Sequence, residues 1–191
     1  MRAPFLFGRV GRSAVILVAL IGAVSNARAG KVEVHLLRRP DKVYEVSGQF
    51  TVTASTMIVW GVLTDYEHIP AFVSSMRSSR VRETRDDGSL LVEQKAVGGI
   101  FFLSKTMRIL LEVRRTPDKL QFTDIGREDF WIYDGDWEVR QAREGAVVGY
   151  HLLAQPDFIA PPFLLSRAMK RGAGDLLDQV RTEIVRRELV R

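Results

Sequence analysis

Val52-Thr53-Ala54-Ser55-Thr56-Met57-Ile58-Val59-Trp60-Gly61-Val62-Leu63-Thr64-Asp65-Tyr66-Glu67-His68-Ile69-Pro70-Ala71-Phe72 is the stretch that decides how this chain is read. It opens as the end of a strand and continues as a short helix. Ser55 or Thr53 can cap that helix, and Met57, Trp60 and Leu63 recur at three-residue spacing, giving it one buried face. Pro70 stops a single helix from running on, so a second short turn holds His68 to Phe72.

Outward from this segment the periodicity is that of strands. Before it, Val43 to Thr53 alternates apolar and polar residues; before that, Gly30 to Lys42 reads as an arm or an edge strand. After it come Met76–Thr84, a turn at Asp86-Asp87-Gly88, Leu90–Val97 ended by Gly98-Gly99, Lys105–Arg115, a turn at Thr116–Lys119, Leu120–Ile125, Phe130–Arg140 and Val147–Ala154. In Lys105–Arg115, Met107, Ile109, Leu111 and Val113 share one face. Pro156, Pro161 and Pro162 punctuate the exit into a helix from Phe163 to about Glu188, with Leu165, Met169, Gly172, Leu176, Val180 and Ile184 as its apolar stripe. Gly172 and Gly174 each cost a helix about 1 kcal/mol against Ala, so they imply close approach of the sheet or of a ligand. One early strand, a helical insert, an antiparallel meander and a terminal helix imply an α+β chain whose curved sheet wraps around that helix. Such a grip leaves an apolar cavity.

Residues 1–29 read as a signal peptide. Arg2, Arg9 and Arg12 form a basic head, Ala14 to Val24 an apolar run, and Ala27-Arg28-Ala29 a small-x-small cleavage pattern before Gly30. The apolar run is shorter than the roughly 20 residues a membrane span needs. An exported, periplasmic protein is the expectation. Removing 29 of 191 residues leaves 162, enough for one domain. It also removes four arginines and no acid, so 28 basic residues become 24 against 23 acidic ones, a net charge of +1. That balance does not point to nucleic acid. With no cysteine in the chain, neither disulfides nor thiol chemistry are available.

Trp60-x-x-Leu63-Thr64-Asp65-Tyr66-x-x-Ile69-Pro70-x-Phe72, then Gly135-Asp136-Trp137-Glu138-Val139, and the late Pro161-Pro162 with its helix, resemble the START-like (SRPBCC) superfamily, in its polyketide cyclase/dehydrase and coenzyme Q-binding branch. The resemblance covers about residues 43 to 188, with 30–42 as an N-terminal arm. It implies a helix-grip fold with a hydrophobic tunnel between sheet and helix. Fold alone does not set function here, because the superfamily includes carriers, receptors and cyclases.

Chemistry-bearing residues are sparse. His35, His68 and His151 have no partner at metal-ligand spacing, no Gly-x-Ser-x-Gly occurs, and Gly98-Gly99 is too short for a phosphate loop. No cofactor and no metal is expected, and no catalytic residue is assigned. Asp134, Asp136 and Glu138 share one strand face and read as a solvated exterior paired with arginines. The inward face offers Met107, Ile109, Leu111, Phe122, Trp131, Tyr133 and Trp137, faced from the helix by Leu165, Met169, Gly172 and Leu176 as ligand-binding candidates. This favours a carrier of a hydrophobic small molecule, such as a lipid, isoprenoid, quinone or polyketide. A cyclase or dehydrase working in the same cavity is the alternative. Phe158–Leu165, followed by Arg167, Lys170 and Arg171, is an apolar tip with a basic collar; it suits transient membrane contact, and equally a loop over a tunnel mouth. Gly99–Leu103 is a second apolar loop that reads as part of that entrance.

Overall fold

In a computed structural model, residues 31–190 are described, except 101 and 102 and the side chains of 99, 100, 103 and 104. The leader read at residues 1–29 lies outside the described residues. So do the side chains of the Gly99–Leu103 loop.

Eight strands form one antiparallel sheet: β1 (Glu33–Arg38), β2 (Tyr44–Val52), β3 (Met76–Thr84), β4 (Leu90–Ile100), β5 (Leu103–Arg115), β6 (Lys119–Asp124), β7 (Phe130–Ala142) and β8 (Gly145–Pro156), in the order β1-β2-β8-β7-β6-β5-β4-β3. Between β2 and β3 run α1 (Thr56–Leu63), a single 3-10 turn (Tyr66–His68) and α2 (Ile69–Phe72); the chain closes with α3 (Pro162–Leu189). The fold is the helix grip. Ser55 caps α1 as expected, its Oγ accepting from Ile58 N–H. Pro162 stands at the start of α3, where its missing N–H costs nothing.

Of the arm and the edge strand read for residues 30–42, the edge strand forms, with Glu33 opposite Gln49 and Arg38 opposite Tyr44 on β2. One expected boundary differs. Gly98-Gly99 does not end β4, which stays paired with β5 as far as Ile100 opposite Leu103. A Cβ on Gly98 would sit 2.7 Å from Met107 Cε, the end of a flexible side chain that can move aside.

The core lies between the inner sheet face and the helices. β2 contributes Val46, Phe50 and Val52; β8 contributes Val148, Tyr150 and Leu152; α1 contributes Val59, Trp60 and Val62. Helix α3 buries Leu165, Ala173, Leu177, Val180 and Ile184. The stripe thus runs through Ala173 and Leu177, not Gly172, which faces open space. The close approach inferred from a glycine exists, but on the other partner. A Cβ on Gly48 of β2 would sit 2.5 Å from Leu177 Cδ1 and 2.9 Å from the Glu33 carbonyl oxygen. Gly174 meets β1 only at ordinary contact distance, 3.9 Å from Val34 Cγ2.

The 3-10 turn is tied to α3 by ions. Arg187 Nη2 donates to Asp65 Oδ2 at 2.8 Å, and its Nε to Glu183 Oε1 at 2.7 Å. Glu183 also takes Arg186 on both oxygens. The guanidinium of Arg186, hydrogen-bonded to it, holds the Glu183 carboxyl down at about 2.

Candidate functional site

Where α3 touches the sheet defines what it leaves open. The helix runs along β2 and β1, and the curved sheet returns to it at β4. Helix α1 covers part of β7 and β8, while among the described residues β5 and β6 come no more than marginally near any helix. Their inward side chains are buried all the same: Ile109, Leu111 and Val113 on β5, Leu120, Phe122 and Asp124 on β6. Large side chains, not backbone, span the distance between the middle strands and the helices.

An aromatic group occupies this span. Phe122 lies 6.0 Å from Tyr133 and 6.4 Å from Tyr150, Phe130 lies 4.9 Å from Tyr133, and Trp137 lies 4.6 Å from Tyr150, all between ring centroids and in tilted or offset geometries. Gly135 makes room for it, because a Cβ there would meet Phe122 Cζ at 2.6 Å. Burial pushes the phenols of Tyr133 and Tyr150 up.

On the inward face of β6 a charged residue follows Leu120 and Phe122. Asp124 is 4% exposed. Its Oδ1 accepts from Leu110 N–H and Gly126 N–H, each at 3.0 Å, and the Arg127 backbone N–H also favours its charged form. Burial raises its carboxyl above the usual range, against the pull of the backbone N–H groups. A second buried polar pair, Gln94 donating to Ser79 Oγ at 3.2 Å, sits on β4 and β3.

Of the residues expected to line a cavity, Ile109, Leu111, Phe122, Trp137 and Leu165 are buried, and Met107, Tyr133, Met169 and Leu176 are partly buried against the core. Two lie elsewhere. Trp131 is 58% exposed, because β7 carries an extra residue between Phe130 and Ile132, opposite Pro156 and Gln155. That bulge breaks the alternation and gives the inward position to Phe130. Gly172 is the other, on the open side of α3. Asp124, Phe130 and Tyr150 were not among the expected residues. For Asp124 and Tyr150 the signal was present, in Leu120-Phe122-Asp124 and Val148-Tyr150-Leu152, where strict alternation puts each on the inward face.

Two clefts formed by described residues lie outside the grip. One, of about 340 Å³, is on the outer sheet face among Glu112, Arg114, Gln121, Asp136 and His151. The other, of about 380 Å³, lies between the Asp65–Phe72 segment and the end of α3. On the outer face Asp136 pairs with Lys119 at 3.3 Å, and Glu138 with Arg140 at 3.3 Å. His151 stands between Glu45 (3.1 Å) and Asp136 (3.8 Å). The acidic face therefore has lysine and histidine neighbours as well as arginine. Among the described residues no group of three or more His, Cys, Asp or Glu could hold a metal ion.

The comparisons with known proteins agree with this geometry. Residues 52–181 match the family described as polyketide cyclase / dehydrase and lipid transport. No curated protein matches the sequence. The structure is similar to fragment 25–204 of the STAR-related lipid transfer protein from Xanthomonas axonopodis, at 14% identity and a TM-score of 0.66, covering 82% of this chain and 95% of that one. It is similar to human STARD10, at 9% identity and a TM-score of 0.66, covering 83% and 71%. A third likeness is to the di-domain ARO/CYC StfQ of the steffimycin biosynthetic pathway, at 14% identity and a TM-score of 0.59, covering 76% and 52%. At these identities the likeness shows the fold.

Proposed function

The chain belongs to the polyketide cyclase / dehydrase and lipid transport family, within the START-like superfamily, and from that premise we propose that it binds and carries a hydrophobic small molecule between α3 and the middle strands. The observation that carries this reading is the stand-off: α3 is seated on β1, β2 and β4, while the aromatic inner face of β5–β7 is bridged by side chains. Side chains can repack around a guest where seated backbones cannot. The similar proteins named for lipid transfer support the same reading. Burial drives it, at about 0.8 kcal/mol per CH₂ moved out of water.

The composition of residues 1–29 supports work outside the cytoplasm, with the mature chain starting near Gly30. Membrane contact during loading is supported by the tip before α3. Ile159 and Phe163 are exposed, and Arg167, Lys170 and Arg171 lie exposed behind them. A second reading, a cyclase or dehydrase, is favoured by the buried carboxyl of Asp124 on the same strand face as Leu120 and Phe122, since acid–base chemistry needs such a group beside its substrate.

Native mass spectrometry of protein purified from its own host tests the carrier. A co-purifying lipid, quinone or similar apolar molecule is expected. An empty protein that also fails to take up alkyl or aromatic probes overturns the proposal. Conversion of a bound polyketide-like substrate, lost in Asp124→Asn, selects the enzyme.

A further inference from the structure

The two edges of the sheet, β1 and β3, are finished differently. On β3 the pairing with β4 slips between Met76 and Ser78 and again between Val81 and Glu83, and Arg77, Arg80 and Arg82 stand along the strand. Bulges and charges of this kind keep an edge from pairing with another chain. β1 has no slip: its register on β2 is unbroken, and its centre, Val34 to Leu37, carries no Lys, Arg, Asp or Glu. Val34 and Leu36 pack on the core, so Glu33, His35 and Leu37 lie on the outer face, where Leu37 is 60% exposed. The direction of the β1 backbone is fixed at two points. Arg39 continues the register and donates its N–H to the Val43 carbonyl oxygen at 2.8 Å, and the Glu33 carbonyl oxygen lies against Gly48 of β2. The odd-numbered residues therefore bond to β2, and alternation turns the N–H and C=O of Val34, Leu36 and Arg38 to the open side. No strand lies there among the described residues.

We propose that β1 pairs antiparallel with β1 of a second copy of this chain, about a two-fold axis at Leu36, joining two sheets into one. Such an axis stands perpendicular to the sheet and keeps the outer faces together. With Leu36 opposite the partner's Leu36, Val34 stands opposite the partner's Arg38, and every open backbone group of Val34, Leu36 and Arg38 finds a partner. On the outer face Leu37 meets the partner's His35 and is covered, and Glu33 meets the partner's Arg39. Arg39 uses Nε and Nη2 on Glu45, which leaves Nη1 for that carboxylate. The neighbouring register, centred on His35, sets Lys31 against the partner's Arg39 instead. Like charges directly opposite are destabilising, and opposite charges stabilise, so the charges select the axis at Leu36. The interface is one strand wide, which makes this a weak dimer that forms and dissociates. The pairing does not depend on what the interior holds.

The chain has no cysteine, so introduced ones report the register without background. His35→Cys and Leu37→Cys proteins, mixed and oxidised, should form a disulfide-linked dimer. Opposite residues that do not exchange hydrogen bonds have Cα atoms about 4.5 Å apart, within disulfide reach. Neither variant alone should link at a comparable rate. In sedimentation equilibrium the wild-type mass should rise towards that of a dimer with concentration. Glu33→Arg and Arg39→Glu should each weaken association about 10-fold. An equimolar mixture of the two should recover it, since each Arg then meets a Glu. All four substituted side chains are exposed, so the fold does not rest on them. A wild type that stays monomeric up to its solubility limit overturns the proposal. So does a dimer in which the mixed cysteines fail to link, and so does faster linking of His35→Cys to itself, which would place the axis elsewhere.

Discussion

Glu183→Gln is the sharpest probe of how the Asp65–Phe72 segment is held on α3. Glu183 is 7% exposed and receives Arg186 and Arg187, and its carboxyl sits at about 2 against an ordinary 4.5. The folded value lies below the unfolded one, so the interaction stabilises at pH above the unfolded value and is lost as pH falls through the folded value. A difference of about 2.5 pH units corresponds to about 3 kcal/mol at pH 7. Arg186 is largely exposed and water screens it, so a loss of about 2 kcal/mol is the working expectation. Urea unfolding of wild type and variant at pH 7 and pH 3 measures this. The gap should shrink by more than half at pH 3, where the unfolded carboxyl has taken up its proton while the folded one is still mostly charged. Other carboxylates titrate in both proteins and cancel in the difference. A gap that stays constant from pH 7 to pH 3 would refute the ionic clamp and leave only a packing role for this side chain.

Gly48→Ala should destabilise by about 1–2 kcal/mol in thermal melts, because the new methyl meets Leu177 and the fixed Glu33 carbonyl oxygen; an unchanged melt would mean that α3 does not sit on β2 as described. Replacing Ile159 and Phe163 together by Ser should weaken binding to anionic vesicles several-fold without changing the melting temperature, and unaltered co-sedimentation would remove the tip as the contact. Gly172→Ala should raise stability by about 0.5–1 kcal/mol, since the position is helical and open; a loss of ligand affinity there would restore Gly172 to the site. Intact mass of protein exported by a Sec-competent bacterium should correspond to a chain starting near Gly30, and retention of Met1 would exclude the leader reading.

Much of the architecture follows from the order and period of the residues. The strands, the Ser55 cap, the second short turn at Ile69–Phe72 and the long final helix each rest on local rules that tertiary contacts reinforced. The inward faces of β5 and β6 could be read because nothing interrupts their alternation. Trp131 could not, because a bulge is a property of the β7–β8 pairing and shifts the face of one residue without any mark in the local pattern. Gly172 failed for a related reason: a 28-residue helix carries several near-equivalent stripes, and which one is buried depends on where the sheet lies. Asp124 was legible as inward-facing, but its backbone partners were not, since they depend on where Leu110 and Gly126 lie once β5 and β6 pair. By itself, then, the sequence determined a strand–helix–meander–helix chain with an apolar inner face. Only the tertiary structure decided that α3 rests on the margins of the sheet, and that side chains bridge its aromatic middle. Curvature and pairing between distant strands set those distances, and no local period encodes them.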